Sequence, residues 1–190
     1  MKTLAVGNLK GGVGKTTICH NLAGVCAERG LKTLVIDMDH QATLTEVCRT
    51  SAHNPEEHSA LHRALVTGEP VRDVITETPH ENVWLLGSEF DLAFLEREMS
   101  EEVNPAVRLA EVLAGVRDNY DRIIIDCPPN PGLATRMALV AADAYLIPLD
   151  AVKFSLYGSD TLQKMAKNVK RRVNPQVGKR STDHIFSQVV

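Results

Sequence analysis

The stretch Gly7–Ile18, GNLKGGVGKTTI, decides how the rest of the chain is interpreted. It follows a short apolar run and ends in Gly14-Lys15-Thr16, where an amphipathic stretch begins. Glycines let backbone N–H groups close around phosphate oxygens, and the N-terminus of a helix adds a favourable dipole. In such a loop we expect Lys15 to bridge the β- and γ-phosphates and the Thr16 hydroxyl to be a ligand of Mg²⁺. The stretch therefore predicts a polyphosphate-binding loop between a strand and a helix.

A second lysine in this loop is not explained by the usual pattern G-x-x-x-x-G-K-[ST], which fails because its first position is Leu9. The run KGGVGKTT, which begins at Lys10, instead resembles the deviant Walker A motif of the ParA/MinD family of ATPases. The resemblance implies that Lys15 serves the subunit's own ATP, whereas Lys10 reaches across a nucleotide-sandwich dimer to the ATP of the other subunit. Without the resemblance, Lys10 would be a solvated loop lysine. The implied nucleotide-binding residues are Lys10, Gly11, Gly12, Val13, Gly14, Lys15, Thr16 and Thr17.

The resemblance extends to about Gln176. LVIDMDHQATLT, at Leu34–Thr45, is similar to the family's second motif, DLDPQGNLT, and YDRIIIDCPPN, at Tyr120–Asn130, is similar to its Walker B stretch, YDYIIIDCPPS. AADAYLIPLDAVKFSLYG, at Ala141–Gly158, matches the family's run into the next helix. Within the family, the chain most resembles the small partition ATPases of the Soj type.

Alternating short apolar runs and amphipathic stretches predict the fold class. Near-continuous hydrophobicity is typical of strands in a sheet that is covered on both faces, and strands that alternate with helices imply parallel crossover units. We therefore expect an α/β fold with a doubly wound, mostly parallel sheet flanked by helices, a P-loop NTPase of the deviant Walker A type. The predicted strands are Thr3–Gly7, Thr33–Asp39, Val83–Ser88, Arg122–Cys127 and Ala144–Asp150. The predicted helices are Lys15–Arg29, Ala60–Val66, Pro105–Arg117, Leu133–Ala142 and Ser155–Arg172.

Three aspartates at the ends of predicted strands are the candidate carboxylates for hydrolysis. The resemblance assigns Asp39 to the attacking water. Phosphoryl transfer also needs a metal, and we expect Asp126, at the end of an apolar strand, to join Thr16 in the Mg²⁺ shell, directly or through water. Asp37, two residues before Asp39 on the same side of an extended strand, is expected in that shell as well. The alternatives are a turn cap for Asp126 and solubilising charges for the other two. The family's proline after the second aspartate is His40 here, and its Gly-Asn is Ala42-Thr43, so we expect altered hydrolysis or coupling.

The formal charge is unevenly distributed. Between Thr161 and Thr182 there are seven basic and no acidic residues, which gives this segment a charge of +7. Because the net charge of the whole chain is −3, the remaining residues together carry −10. Helical spacing places Lys164, Lys167 and Arg171 on one face, opposite an apolar stripe. Such a cluster is either a solvated helix face or a non-specific contact to DNA phosphates, and the resemblance favours DNA.

Composition limits the remaining classes. No apolar run reaches the roughly 18 residues of a membrane span, and the N-terminus lacks the apolar region of a signal peptide. The four cysteines are scattered without a C-x-x-C pair, which predicts free thiols rather than a metal site. We expect a cytoplasmic protein without membrane partners that associates with the nucleoid when ATP is bound. Residues 1–190 are expected to be one ParA-like domain that is shorter at its C-terminus than relatives, which puts adenine selectivity in doubt.

The leading interpretation is a weak, partner-stimulated ATP hydrolase for plasmid or chromosome segregation. It would use ATP and Mg²⁺, form a homodimer with ATP, bind DNA and respond to a ParB-like protein. Three alternatives stay open: a MinD-like membrane-surface ATPase, a metabolic enzyme such as an ATP-dependent ligase or a reductase component, and a degenerate nucleotide binder without efficient hydrolysis.

Overall fold

The computed structural model describes residues 2–49, 59–149 and 160–168. Six strands form one sheet in the order β3-β4-β2-β5-β1-β6, and every pairing is parallel except that of β3 with β4. This confirms the predicted doubly wound, mostly parallel α/β fold. The strands are β1 Thr3–Val6, β2 Thr33–Asp37, β3 Thr76–Glu77, β4 Val83–Leu86, β5 Arg122–Asp126 and β6 Ala144–Leu146.

Seven helices connect or flank the described strands, and the 160–168 segment is also helical. They are α1 Lys15–Glu28, α2 Thr43–Cys48, α3 Ala60–His62, α4 Val71–Val74, α5 Leu95–Glu98, α6 Arg108–Ala114 and α7 Leu133–Ala141. A π-helical turn, Arg63–Thr67, continues α3, and a 3₁₀ turn, Phe90–Phe94, leads into α5. The predicted helix from Pro105 to Arg117 is divided into a 3₁₀ turn, α6 and a second 3₁₀ turn.

Alternate side chains of the buried strands pack into two hydrophobic layers, one on each face of the sheet. Leu34 and Ile36 of β2 pack with the layer that includes α3 to α7, whereas Val35 packs with α1 and α2 on the other face. The side chains of β2 are all buried, because helices cover both of its faces. The sheet is therefore the middle layer of three.

The strand register brings the candidate site together. Asp126 of β5 is paired with Val6 of β1 on one side and with Asp37 of β2 on the other. Because these strands are parallel, the chain segments that follow them leave the same edge of the sheet. The glycine loop after Val6 and the Asp39 loop after Asp37 thus flank Asp126.

Candidate active site

The glycine loop between β1 and α1 has the conformation of an anion cradle. Gly12 and Gly14 have φ values of 74° and 82°, a left-handed region that other residues rarely adopt. A Cβ atom added at Gly11, Gly12 or Gly14 would meet no atom within 4 Å, so the space beside the backbone is open. Gly14 caps α1 without a side-chain hydrogen bond, which leaves the first N–H groups of the helix available to an anion.

Lys15 is buried although it is charged, with only 7% of its surface exposed. Its Nζ donates a hydrogen bond to the main-chain carbonyl of Lys10, 3.1 Å away. The ammonium group is therefore held across the loop, where it would compensate phosphate charge. Lys10 itself is half-buried.

Asn8 supports this loop, and the sequence interpretation did not single it out. It is fully buried; its side-chain amide donates to the carbonyl of Pro148, and its Oδ1 accepts the N–H of Lys10 at 3.0 Å. The only signal in the sequence is a polar residue at the junction of a buried strand and a glycine loop. Asn8 fixes the backbone from which Lys10 projects.

Thr16 and Asp126 form the part of the site that fits a hard cation. The Thr16 hydroxyl donates to Asp126 Oδ2 at 2.6 Å. The other oxygen, Oδ1, is buried and has no hydrogen-bond partner among the described residues. Burial raises the pKa of Asp126 to about 7, against the lowering effect of the Thr16 hydrogen bond. An oxygen pair with one unsatisfied carboxylate atom beside a phosphate loop suits Mg²⁺, which uses few protein ligands and completes its shell with phosphate and water.

Asp37, which is also expected in the Mg²⁺ shell, accepts hydrogen bonds from protein donors with both of its carboxylate oxygens. Oδ1 accepts the N–H of Asp39 at 3.1 Å, and Oδ2 accepts both the N–H and the hydroxyl of Thr45 at 2.8 and 2.9 Å. The residue is fully buried, and burial raises the pKa of its carboxyl group. The metal role of Asp37 stays a prediction, while its hydrogen bonds show that it fixes the start of the Asp39 loop.

Asp39 lies in a turn at the same edge. Its Oδ1 accepts the N–H of Gln41 at 3.0 Å and lies 3.5 Å from His40 Nδ1, whereas Oδ2 accepts none of the hydrogen bonds found among the described residues. Its main-chain carbonyl accepts the N–H of Ala42 at 2.9 Å and the hydroxyl of Ser88 at 2.8 Å. One carboxylate oxygen is therefore free to orient a water molecule.

Comparison with known proteins identifies the family of the chain. The family model AAA_31, described as an AAA domain, matches residues 1–179. The chain is 36% identical over 173 residues to the sporulation initiation inhibitor protein Soj of Bacillus subtilis, a match that covers 91% of this chain and 68% of that protein. It is 34% identical over 176 residues to the chromosome partitioning protein ParA of Myxococcus xanthus, covering 93% and 62% respectively. The chain belongs to the ParA/MinD family of ATPases.

A solved structure extends the comparison to three dimensions. The cobyrinic acid a,c-diamide synthase of Mycobacterium smegmatis, solved with ADP and magnesium, superposes with a TM-score of 0.83 at 29% identity. That match covers 92% of this chain and 70% of the other. The chain spans about two thirds of the length of the relatives it matches.

Within this ParA/MinD chain, the basic face predicted for DNA is partly described. In the 160–168 helix, Leu162 and Ala166 are buried and belong to the cluster of Leu139, whereas Lys164 and Lys167 are exposed. Arg171 lies outside the described residues. The separation of an apolar and a basic face is thus present over the described part of the helix.

The remaining predictions concern cysteines, metals and membranes. The four cysteines are free thiols, three of them buried and Cys26 half-buried. Over the described ranges, no group of three or more His, Cys, Asp or Glu side chains is arranged to hold a metal. In that same part of the chain, no helix combines the length and the apolar character needed to cross a bilayer.

Proposed function

We propose that this chain is an ATP-dependent partition switch, which dimerises when it binds ATP and Mg²⁺, holds DNA without sequence preference in that state, and hydrolyses ATP. The observation that carries the proposal is the position of the buried Lys15 ammonium group and the Thr16–Asp126 pair at one glycine loop. The Soj and ParA relatives support the partition role. The M. smegmatis protein, with its bound ADP and magnesium, supports the choice of ligands.

Each part of the loop has a task in binding. The N–H groups at the start of α1 and the ammonium group of Lys15 would neutralise the phosphates, and Thr16 and Asp126 would hold Mg²⁺. The bound ion supplies compensation for charge that develops on the β- and γ-phosphate oxygens. Lys15 would exchange its hydrogen bond to the Lys10 carbonyl for one to a phosphate oxygen.

Hydrolysis needs a positioned water and additional positive charge. Asp39, with its Oδ2 unused by the described residues, would accept a hydrogen bond from the attacking water. Lys10 would contribute its charge to the triphosphate bound by the other subunit, so that a complete site forms only when two chains meet. Because ATP hydrolysis would require two chains to meet, it would be weak in the protein alone. It would increase when a ParB-like partner favours the closed dimer.

DNA binding would follow dimerisation because two copies of the basic helix then lie on one particle. Lys164 and Lys167 are exposed and can face phosphates, and two such faces double the number of contacts. The ATP-bound protein would accordingly associate with the nucleoid in the cytoplasm.

Sedimentation velocity of the purified protein tests the proposal, with Mg²⁺ and either ADP or a slowly hydrolysed ATP analogue, in the presence and absence of random DNA. We expect a monomer with ADP, a dimer with the analogue, and co-sedimentation with DNA only in the second case. A monomer in every condition would contradict the proposal.

The DNA face is tested by the triple reversal Lys164→Glu, Lys167→Glu and Arg171→Glu. The matched control is Lys32→Glu, Arg72→Glu and Arg122→Glu, which makes the same charge change at three exposed positions far from this helix in the sequence. Only the first set should abolish ATP-dependent DNA retention at moderate salt, while both should dimerise. Equal loss in the two sets would show that net charge, rather than this face, controls DNA binding.

A second candidate, an ATP-dependent amide ligase, is favoured by the structural match to the diamide synthase. It uses the same phosphate loop but needs an acid substrate. ATP turnover that requires a carboxylic acid and an amine, and that DNA and partner protein leave unchanged, would favour this candidate over the partition switch.

A further inference from the structure

The main-chain carbonyl of Asp39 is held from a neighbouring strand. Ser88, which follows β4, is fully buried and donates its hydroxyl to Asp39 O at 2.8 Å, closer than its alternative acceptor, Glu89 O, at 3.4 Å. The N–H of Ala42 reaches the same carbonyl at 2.9 Å. Both lone pairs of this oxygen are therefore engaged, which restricts rotation of the Asp39 backbone.

Thr45, in the first turn of α2, joins this contact to Asp37. Its hydroxyl donates to Asp37 Oδ2 at 2.9 Å and accepts the N–H of Ser88 at 3.0 Å. Thr45 is only 5% exposed. The hydrogen bonds form a closed ring in which Asp37 holds the N–H of Asp39, Thr45 links Asp37 to Ser88, and Ser88 holds the carbonyl of Asp39.

Gly87 shows how closely the two loops approach. A Cβ atom at this position would lie 3.0 Å from Thr45 Cγ2 and 3.4 Å from Thr45 Oγ1. The close approach follows from the register, since Leu86 at the end of β4 is paired with Ile36 of β2. A larger residue at position 87 would press on the Thr45 side chain, so glycine favours the close approach in which Ser88 bonds both Thr45 and Asp39.

We propose that Ser88 and Thr45 are positioning residues for Asp39, which they hold by its main chain so that its carboxylate faces the γ-phosphate of bound ATP. The inference rests on the proposed function, because that function gives Asp39 its role. Neither hydroxyl is placed on the substrate: Ser88 and Thr45 act through the backbone of Asp39. Small displacements of a group that orients water are costly, so loss of either hydroxyl would lower turnover more than nucleotide affinity.

A purely structural role for the ring predicts a different result. If the hydroxyls only stabilised the fold, removal of any buried hydroxyl would lower stability to a similar degree wherever it lies. Thr33 provides the matched control, because it lies at the other end of β2, is buried, and donates its hydroxyl to the carbonyl of Leu31 at 3.0 Å. Thr33→Val and Thr45→Val both remove one hydroxyl at constant shape, whereas Thr45→Ser keeps the hydroxyl.

The first measurement is amide hydrogen exchange, which needs no hydrolysis. In peptides that cover residues 38–42, Ser88→Ala and Thr45→Val should exchange about fivefold or more faster than wild type, while Thr33→Val and Thr45→Ser should exchange like wild type. Unchanged exchange of this segment in Ser88→Ala would overturn the proposal.

The second measurement is single-turnover ATP hydrolysis in a double-mutant cycle with Asp39→Ala. Ser88→Ala should lower the rate about tenfold with ATP affinity within about twofold of wild type, and should lower it no further when Asp39 is already alanine. An equal loss in both backgrounds would overturn the proposal, because Ser88 would then act independently of Asp39. If wild type hydrolyses no ATP, the proposed function fails, whereas the exchange experiment still decides whether the ring holds Asp39.

Discussion

Asp126 ends β5 at the carboxyl edge of the sheet, whereas Asp143 precedes β6 at the amino edge. Asp126 has one buried oxygen without a partner among the described residues, and burial raises its pKa to about 7. Burial also acts on Asp143, but its pKa is lowered by hydrogen bonds from Arg117 and from the N–H groups of Thr3 and Lys2.

The difference separates stability from function within one sheet. At the amino edge, the Asp143 carboxylate receives two hydrogen bonds from Arg117 and two from the backbone, so its charge is compensated and it connects β1 to the start of β6. At the carboxyl edge, charge compensation is incomplete, and a cation with a bound phosphate would complete it. The incompletely compensated charge at the carboxyl edge lowers the stability of the fold, but it provides a site for a ligand.

The largest difference between the two edges concerns nucleotide affinity. Lys15→Ala should weaken ATP binding by about 100-fold or more, since it removes a buried cation from the phosphate cradle. Lys32→Ala, which removes an exposed lysine at the amino edge, should leave affinity unchanged. Titration calorimetry with Mg·ATP measures both, and equal affinities in the two variants would show that Lys15 does not bind phosphate.

The ion pair at the amino edge should matter for stability alone. Asp143→Ala should lower the free energy of unfolding by about 2 kcal/mol at pH 7, because Arg117 and two N–H groups lose their acceptor. Since the pKa of Asp143 is lowered in the folded state, this contribution is present above the ordinary carboxyl pKa of about 4 and is lost as pH falls below it. Urea unfolding at pH 7 and pH 3 measures the effect; a larger loss at pH 3 would contradict the assignment.

Asp126 should show the opposite dependence on pH. A folded-state pKa of about 7 means that wild-type stability decreases as pH rises from about 4 to 7, because the buried carboxyl group loses its proton. Without Mg²⁺ and nucleotide, Asp126→Asn should therefore be more stable than wild type by about 1 to 2 kcal/mol at pH 8, with a smaller advantage at pH 5. Thermal unfolding in EDTA at the two pH values provides the test, and an advantage that shrinks at high pH would refute it.

The smallest effect concerns the backbone of the Asp39 loop. Ala42 has a φ of 52°, in the left-handed region, at the position where the family motif has glycine. Ala42→Gly should raise stability by about 0.5 to 1 kcal/mol through relief of that strain. Asn82→Gly, at a φ of 62°, is the control and should gain less, because asparagine tolerates this region. Equal changes in unfolding free energy would indicate that the Ala42 backbone is unstrained.

The sequence predicted the five longer strands because their apolar runs are continuous, and over the described residues the structure shortens each by one to three residues. It missed β3, because this strand has only two residues, Thr76 and Glu77, and both are exposed. It also missed three short helices, α2, α4 and α5, which have four to six residues each. Hydrophobic pattern identifies buried elements, but it contains little information about short exposed ones.

The candidate site could be predicted from the sequence where all the residues involved belong to one motif, as with Gly14, Lys15 and Thr16. The ring around Asp39 was not, because Thr45 and Ser88 are 43 positions apart and meet only through the pairing of β2 with β4. The hydrogen bonds from Thr45 to the carboxylate of Asp37 could not be predicted for a related reason, since they depend on the presence of α2. Contacts between strands require the topology, which the residue pattern does not contain.

We expect a complete site to take Lys15 and Asp39 from one subunit and Lys10 from the other. This expectation is tested by mixing Lys10→Ala with Asp39→Ala chains and measuring ATP hydrolysis at constant total protein. In the heterodimer, the chain that retains Asp39 faces a partner that retains Lys10, so one of its two sites is complete. Each variant alone should retain only a small residual rate, and an equal mixture should recover about a quarter of wild-type activity, since half of randomly formed dimers are mixed. A mixture as inactive as its components, or a Lys10→Ala chain that alone hydrolyses ATP at the wild-type rate, would contradict the shared site.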